Sequence, residues 1–380
     1  MSGHYLDHAS TSPPRPEVVS AMARWLDSGP SADPGRLHHP GRLARAALEE
    51  SREAVAAFAG SRARQVVLTS SGTEAVNAAV WGACRARPGG VVVLAEVEHS
   101  SVRQASARLA PVEVVPVDDR GHLEVAALGE VLDRLAARRQ PVALVHCQAA
   151  NHEVGSLQPL AEVVEVARGH EVPVHVDACA AAGHVALSFD DLGVDLLSVS
   201  AHKFGGPPGA GALLVRRGLR LEPLLVGGEQ ERARRAGFEN LLGAVGFAAA
   251  CDALSGGRLE QEAERSRRWR DGLEKAALAV PGVSVLGDPE QRLPHLLCLG
   301  LTDVEAEAVL LGLDRAGVFV HSGSSCSSES LEPSPVLAAM GADAQRSLRL
   351  SVGWCTTDED VEAFADAFPA VVDGLRALGR

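Results

Sequence analysis

Lysine is almost absent from this sequence. The 380 residues include 36 basic side chains, but only Lys203 and Lys275 are lysines and all the others are arginines. Any chemistry that needs a lysine amine therefore has two candidates.

The chain also lacks an excess of positive charge, a long apolar run and a paired-cysteine motif. Its net charge of −13 works against sequence-independent binding to nucleic acid or anionic lipid. No window approaches the ~18 consecutive apolar residues of a membrane helix, and the first residues do not have the pattern of a signal peptide. The seven scattered cysteines include no Cys-x-x-Cys pair, which indicates neither a disulfide framework nor a structural zinc site. We therefore expect a cytoplasmic protein whose partners are small molecules and proteins, not nucleic acid or a membrane.

Short β-branched runs alternate with alanine-rich helical stretches through the first two thirds of the chain. This alternation predicts an α/β fold with a mostly parallel sheet. The predicted strands are Val66–Thr69, Val91–Ala95, Val142–Cys147, Val172–Val176, Asp195–Val199 and Ala212–Val215.

The chain is longer than the ~250–300 residues at which single cores stop growing. An Arg/Glu-rich helix at Leu259–Leu278, shorter strands and a final helix from Asp358 follow the alternating region. We therefore predict a large domain at 16–255 and a smaller α+β domain formed by 1–15 and 256–380.

Polar residues follow five of the predicted strands. They are Ser70–Glu74, Glu98–His99, Asn151–Glu153, Asp177 and Ser200–Lys203. Ligands of open α/β sheets bind at the carboxyl ends of the strands. These segments therefore predict one shared site.

Lys203 and Asp177 follow two successive strands, and together they indicate pyridoxal phosphate. A desolvated lysine can form a Schiff base with the cofactor's aldehyde, and a carboxylate keeps its pyridine nitrogen protonated. Considered separately, each residue would have an ordinary role, Lys203 as a surface cation and Asp177 as a turn residue. The amides of Ser71–Thr73, at the start of a helix, are suited to a phosphate group.

These residues belong to a longer, ordered set of motifs. The set comprises Tyr-Leu-Asp-His-Ala at 5–9, His-His-Pro-Gly-Arg at 38–42, Ser-Gly-Thr-Glu-Ala at 71–75, Glu-His at 98–99, Asn-His-Glu-Val-Gly at 151–155, His-Val-Asp-Ala at 175–178, Ser-Ala-His-Lys at 200–203, Gly-Gly-Glu-Gln-Glu-Arg at 227–232, Ser-Gly-Ser-Ser-Cys at 322–326, Val-Leu-Ala-Ala-Met-Gly at 336–341 and Ser-Leu-Arg-Leu-Ser-Val-Gly at 347–353. Over nearly its whole length the chain resembles the cysteine desulfurases of aminotransferase class V, which are fold-type I pyridoxal-phosphate enzymes.

The resemblance implies a cofactor, a substrate and a role for each matching residue. The cofactor is pyridoxal 5'-phosphate and the substrate is L-cysteine. The implied roles are Lys203 as the Schiff-base lysine, Asp177 as the partner of the pyridine nitrogen, His99 as the stacking acid/base, Gly72, Thr73, Ser200 and His202 as phosphate ligands, His152 at the cofactor and substrate, and Arg349 as the ligand of the substrate carboxylate.

Cys326 lies in the polar segment 321–330, whereas most of the other cysteines have apolar neighbours. This composition predicts a mobile loop, which we assign to the smaller domain. The resemblance implies that the Cys326 thiolate attacks the substrate sulfur, that L-alanine is released and that the persulfide passes to an acceptor protein. It also implies a homodimer. The pathway stays open between iron–sulfur assembly, tRNA or DNA thiolation and natural-product sulfur supply.

Three positions depart from the family pattern. Ala180 replaces a glutamine, His152 an asparagine and Phe238 a threonine. Two alternatives stay open. His152 and Ala180 favour another class V enzyme, such as an aminotransferase, an epimerase or a selenocysteine-type lyase, and Cys326 opposes it. The second alternative is a weakly active homologue that serves as a partner in a sulfur-transfer assembly. The presence of the implied site residues argues against this alternative.

Overall fold

The computed structural model describes residues 3–322 and 334–378. The strands within these residues are β1 (His4–Tyr5), β2 (Val66–Thr69), β3 (Val91–Ala95), β4 (Val112–Val115), β5 (Val142–Gln148), β6 (Val174–Asp177), β7 (Leu196–Ser200), β8 (Gly211–Val215), β9 (Val283–Leu286), β10 (Leu296–Leu301), β11 (Val318–Phe319), β12 (His321–Ser322) and β13 (Ser347–Ser351). The α-helices are α1 (Pro16–Ser28), α2 (His39–Phe58), α3 (Gly72–Ala86), α4 (Ser100–Leu109), α5 (Val125–Ala137), α6 (Leu160–Gly169), α7 (Phe189–Leu192), α8 (Gln230–Ala233), α9 (Leu241–Asp252), α10 (Arg258–Leu278), α11 (Ala306–Arg315), α12 (Pro335–Ala339) and α13 (Asp358–Leu378).

A seven-stranded sheet in the order β2-β8-β7-β6-β5-β3-β4 forms the centre of the fold. Strands β4, β3, β5, β6 and β7 are parallel to one another, and β8 is antiparallel to both β7 and β2. The predicted α/β fold with a mostly parallel sheet is confirmed.

Both faces of the sheet are buried. In β3, Val91 and Val93 belong to the main hydrophobic core, while Val92 and Leu94 pack on the other side against α3 and α4. A strand covered on both faces needs a continuous apolar run, not an alternating one. This explains why the short Val-rich runs of the sequence are good predictors of the strands.

A second, antiparallel sheet in the order β12-β13-β10-β9 lies in the last third of the chain. Its apolar side chains pack with those of α10, α11 and α13, and Leu6 is buried in the same cluster. Asp7 forms a bridge to Ser351 at the end of β13. Leu6 and Asp7 are therefore held against this sheet. The predicted boundary near residue 255 stays a prediction.

All six predicted strands are present, with shifts of one or two residues at some ends. The largest shift is in β6, which begins at Val174 and not at Val172. Pro173 has no N–H to donate to a neighbouring strand, so the regular pairing starts after it. In the described part of the chain, none of the helices is long and apolar enough to cross a membrane.

Candidate active site

The carboxyl ends of β2, β3, β5, β6 and β7 meet at one cavity of about 170 Å³. The predicted residues that line it are Gly72, Thr73, His99, His152, Asp177, Ser200, His202 and Lys203. The five strand ends that the sequence assigned to a shared site therefore do come together. Cys326 lies outside the described residues.

Lys203 stands on a single 3-10 turn, Ala201–Phe204, that directly follows β7. The turn ends at Gly205, whose φ of 87° is a left-handed value that favours glycine. The Lys203 Nζ donates hydrogen bonds to the carbonyl oxygens of Ala9 at 2.6 Å and Ser10 at 3.1 Å. The N-terminal segment therefore lies within reach of the amine.

Asp177 ends β6 and is 8% exposed. Its Oδ1 accepts a hydrogen bond from the backbone N–H of Cys179 at 3.0 Å, which fixes the carboxylate at the cavity wall. A carboxylate held in this way can keep a proton on a nitrogen heterocycle beside it.

Glu98 is a second buried carboxyl group near Asp177, and the sequence reasoning gave it no role of its own. Its Oε1 accepts a hydrogen bond from the backbone N–H of Gln148 at 2.7 Å, and Gln148 pairs with Asp177 across β5 and β6. Burial, with the negative charge of Asp177 as a second cause, raises the pKa of Glu98 to about 8. The Glu98 carboxyl group is therefore mostly protonated at neutral pH.

The turn between β2 and α3 has the geometry of an anion site. Ser71 caps α3, with its Oγ accepting from the backbone N–H of Glu74 at 3.1 Å. A Cβ on Gly72 would lie 2.4 Å from Cys179 Sγ, so only glycine allows this close approach. The Ser200 Oγ, at the same cavity, is buried without a hydrogen-bond partner in the described part of the chain. Free helix-start amides and an unpartnered hydroxyl are suitable donors for phosphate.

Two of the three histidines that line the cavity, His99 and His202, have different surroundings. The Nδ1 of His99 accepts from the backbone N–H of Ser101 at 3.1 Å, which leaves the proton of the neutral ring on Nε2. Burial, assisted by the charge of Lys203, lowers the pKa of His202 to about 4. His202 is therefore a neutral hydrogen-bonding group, 3.2 Å through Nδ1 from the Thr11 hydroxyl.

Arg349 is 2% exposed and lies on β13, beside the cavity but from the second sheet. Its Nη1 donates to the carbonyl oxygen of His152 at 3.1 Å, and its Nη2 donates to Asp7 Oδ1 at 2.8 Å and Ser10 Oγ at 2.7 Å. Its Nε has no hydrogen-bond partner among the described residues. A fixed guanidinium with an unused donor is suited to a carboxylate ligand.

Of the three positions that depart from the family pattern, two lie at the cavity and one does not. Ala180 and His152 line the cavity, and the ring of His152 meets that of His99 edge to face at a centroid distance of 5.0 Å. Phe238 does not line it and is 65% exposed.

The aminotransferase class-V family model matches residues 4–364. The chain belongs to this family. The cysteine desulfurase IscS of Dictyoglomus turgidum is 36% identical over 98% of this chain and 95% of its own length. A cysteine desulfurase of Trichormus azollae is 38% identical over 100% of this chain and 95% of its own length.

Solved structures of similar proteins have the same fold. The NifS-like protein of Rickettsia africae superimposes with a TM-score of 0.86 at 28% identity, covering 98% of this chain and 99% of the other. A structure of SspA in complex with cysteine has a TM-score of 0.80 at 26% identity and covers 92% and 98%. The predicted family and the fold-type I architecture are confirmed, and so is the predicted cofactor, since the class V aminotransferases are pyridoxal-phosphate enzymes.

The side chains at the cavity fit this cofactor. A lysine amine can take its aldehyde, and a buried carboxylate can pair with its ring nitrogen. The buried Ser200 hydroxyl and the amides at the start of α3 can bind its phosphate.

Proposed function

We propose that this chain is a pyridoxal-phosphate-dependent cysteine desulfurase that converts L-cysteine to L-alanine, forms a persulfide on Cys326 and passes the sulfur to an acceptor protein. The observation that carries the proposal is the meeting of Lys203 and Asp177 at one cavity, with Arg349 buried beside it. The full-length similarity to proteins named cysteine desulfurases supports the choice of reaction.

In this proposal the cofactor is held at both of its ends. Lys203 Nζ would bond to its aldehyde carbon, and Asp177 would hold a proton on its ring nitrogen. Gly72, Thr73 and Ser200 bind its phosphate, with His202 as a neutral donor. When bound, the cofactor supplies a protonated ring that accepts the electron pair of the substrate Cα–H bond.

The protein's own side chains bind the substrate and move its protons. Arg349 binds the carboxylate of L-cysteine, and its bonds to Asp7, Ser10 and the His152 carbonyl fix the guanidinium in place. Lys203 Nζ would be freed when the amine of L-cysteine takes its place at the cofactor, and as a free amine at this cavity it would then remove the α-proton. His99, with its proton on Nε2, transfers a proton to or from the substrate thiol.

The sulfur then moves to Cys326. The Cys326 thiolate attacks the substrate Sγ, a new S–S bond forms and the Cβ–Sγ bond breaks, so the Cβ–Sγ electron pair stays on the three-carbon product. Protonation of that product gives alanine. Cysteine acts as a nucleophile only as the thiolate, so this step requires loss of the Cys326 proton.

The direct test is mass spectrometry of the protein after incubation with L-cysteine, together with an assay of alanine. We expect one added sulfur on Cys326 and one alanine per sulfur. Cys326→Ser should abolish both the adduct and sulfur transfer. The matched control is Cys355→Ser, because Cys355 is an exposed cysteine with no role in the proposal, and this variant should behave like the wild type. Alanine formation that survives Cys326→Ser at the full rate would refute the proposal.

One observation favours a second candidate, another reaction of class V enzymes such as transamination, epimerisation or selenocysteine lysis. His152 and Ala180 line the cavity where the family pattern has asparagine and glutamine, so the donors next to the substrate differ. If this candidate is correct, incubation with a panel of amino acids should give turnover with a substrate other than cysteine, and Cys326→Ser should retain it.

A homodimer is part of the proposal. Leu225, Val226 and Phe238 are large apolar side chains that are 41%, 79% and 65% exposed, and the Ala236 N–H donates to the Leu225 carbonyl, which brings their segments together. Exposed apolar groups of this kind are typical of protein interfaces. Light scattering should give twice the chain mass, and Phe238→Asp should shift the measured mass towards that of the monomer.

A cytoplasmic location is also part of the proposal. The proposed reaction needs a free cysteine thiol, and the reducing conditions of the cytoplasm keep cysteine thiols from forming disulfides.

A further inference from the structure

The phosphate turn, residues Ser70–Thr73, is held by a carboxylate from its own helix. Glu74 Oε2 accepts a hydrogen bond from the Ser70 backbone N–H at 2.7 Å, and the Glu74 N–H donates to Ser71 Oγ at 3.1 Å. This reciprocal pair resembles a capping box, in which two otherwise unsatisfied backbone groups at a helix start are bonded. The orientation of the Glu74 side chain therefore affects the shape of the turn.

Glu74 is oriented in turn by Arg235. The Arg235 Nε donates to Glu74 Oε1 at 2.8 Å and its Nη2 donates to Oε2 at 3.3 Å. The two side chains are 22% and 13% exposed, so the pair is partly shielded from water. A two-point guanidinium–carboxylate pair fixes direction as well as distance.

Arg235 follows a strained segment of the backbone. Glu231, Arg232 and Ala233 have φ values of 49°, 58° and 59°, in the left-handed region that costs about 1 kcal/mol or more for each residue other than glycine. Three such residues in a row persist only where the surrounding contacts impose the conformation, and strain of this kind concentrates at functional sites.

The contacts that impose it are side-chain bonds to α2 and β2. The Glu231 carboxylate forms a buried two-point pair with Arg52 and accepts from the Leu68 backbone N–H at 2.9 Å. Arg232 donates to Glu49 Oε2 at 2.8 Å. The strained segment is thus fixed to β2, the strand that leads into the phosphate turn. Arg235 follows this segment and is thereby placed beside Glu74.

We propose that Arg235 is a positioning residue for the cofactor phosphate, acting through Glu74 to set the turn Ser70–Thr73. The inference rests on the proposed function, because it requires that this turn bind the phosphate. Arg235 touches neither the substrate nor the reacting atoms in this account. The charge of Arg235 is paired with that of Glu74, so Arg235 affects phosphate binding by positioning Glu74 and not by its own charge.

The test compares two probes that differ only in the phosphate. Pyridoxal phosphate and pyridoxal both have the aldehyde that reacts with Lys203, and their dissociation constants are measured with the apoprotein by absorbance. In Arg235→Met we expect pyridoxal phosphate to bind about tenfold more weakly, as for the loss of one charge-assisted hydrogen bond, and pyridoxal to bind within about twofold of wild type.

The matched control is Arg232→Met, in the same strained segment. Arg232 bonds to Glu49 and the Ala63 carbonyl and not to the turn, so this variant should change the affinities for the two probes by the same factor. Glu74→Gln is a second variant that keeps the side-chain shape and an acceptor oxygen, and it should weaken pyridoxal phosphate binding selectively by about threefold.

Two results would overturn the inference. Equal weakening of both probes in Arg235→Met and Glu74→Gln would assign Arg235 a merely structural role, and unchanged affinities would assign it none. Either result leaves the proposed function intact, because the wild type still binds pyridoxal phosphate. If the wild-type apoprotein binds neither probe, the proposed function fails and the inference fails with it.

Discussion

Replacement of the buried Glu98 by glutamine should change how the stability of the protein depends on pH. Glu98 is 1% exposed and packs near Asp177, with His152 and Cys147 as the other titratable groups that interact with it. Its pKa is raised from 4.5 to about 8, first by burial and second by Asp177. In the unfolded chain the same carboxyl group ionises near its ordinary value.

The sign of the effect follows from the two pKa values. Below pH 4.5 the group is protonated in both states and does not oppose folding. Between pH 4.5 and about 8 the unfolded chain has released the proton while the folded protein retains it, so the free energy of unfolding falls as the pH rises. Because each tenfold difference in proton affinity is about 1.4 kcal/mol, the ceiling of this loss is about 5 kcal/mol. A fall of about 2 kcal/mol or more in the free energy of unfolding is large enough to be measured by urea unfolding.

Glutamine has the shape of the protonated acid and can still accept the bond from the Gln148 N–H, but it does not titrate. Urea unfolding of the apoprotein at several pH values from 5 to 8.5 should therefore show a smaller loss of stability in Glu98→Gln than in the wild type. Glu53→Gln, at an exposed position on α2, is the control and should follow the wild type. Parallel curves for wild type and Glu98→Gln would refute the reasoning.

Three further predictions concern the cofactor, the substrate and the backbone. Ser200→Ala removes an unpartnered buried hydroxyl and should weaken cofactor binding about tenfold, or about 1.4 kcal/mol, in an absorbance titration; an unchanged affinity would exclude Ser200 from the phosphate site. Arg349→Gln should raise KM for cysteine about 100-fold while cofactor content stays constant, and an unchanged KM would contradict its role. Ala233→Gly relieves a left-handed φ of 59° and should raise the free energy of unfolding by about 0.5–1 kcal/mol in urea, whereas a loss of stability would show that the segment is not strained.

The strands of the main sheet could be predicted because each is a short apolar run buried on both faces. Helix starts were harder. The apolar residues Ala44, Leu48 and Val55 recur at helical spacing and are buried on one face of α2. The helix itself begins earlier, at His39, where the His38 Nδ1 accepts from the Gly41 N–H at 3.1 Å. Histidine is not among the common capping residues, so Pro40 in the first turn is the main sign of this start in the sequence.

Most of the cavity residues could be predicted because they follow β3, β5, β6 and β7, which neighbour one another in the parallel part of the sheet. The contacts that orient them could not. Arg349 is bonded to Asp7, which is 342 positions away, and Arg235 to Glu74, which is 161 away. Such pairs depend on how the N-terminal segment and the second sheet pack against the first, and no local pattern encodes that packing. The raised pKa of Glu98 likewise depends on its burial beside Asp177.

The central claim is that Lys203 holds the cofactor, and the two lysines of the chain allow a direct test. Reduction of the protein loaded with pyridoxal phosphate by borohydride converts the lysine–cofactor bond into a stable amine, which peptide mass spectrometry can locate. We predict that the adduct lies on Lys203 and that Lys275, on an exposed position of α10, carries none. An adduct on Lys275, or on neither lysine, would contradict the account.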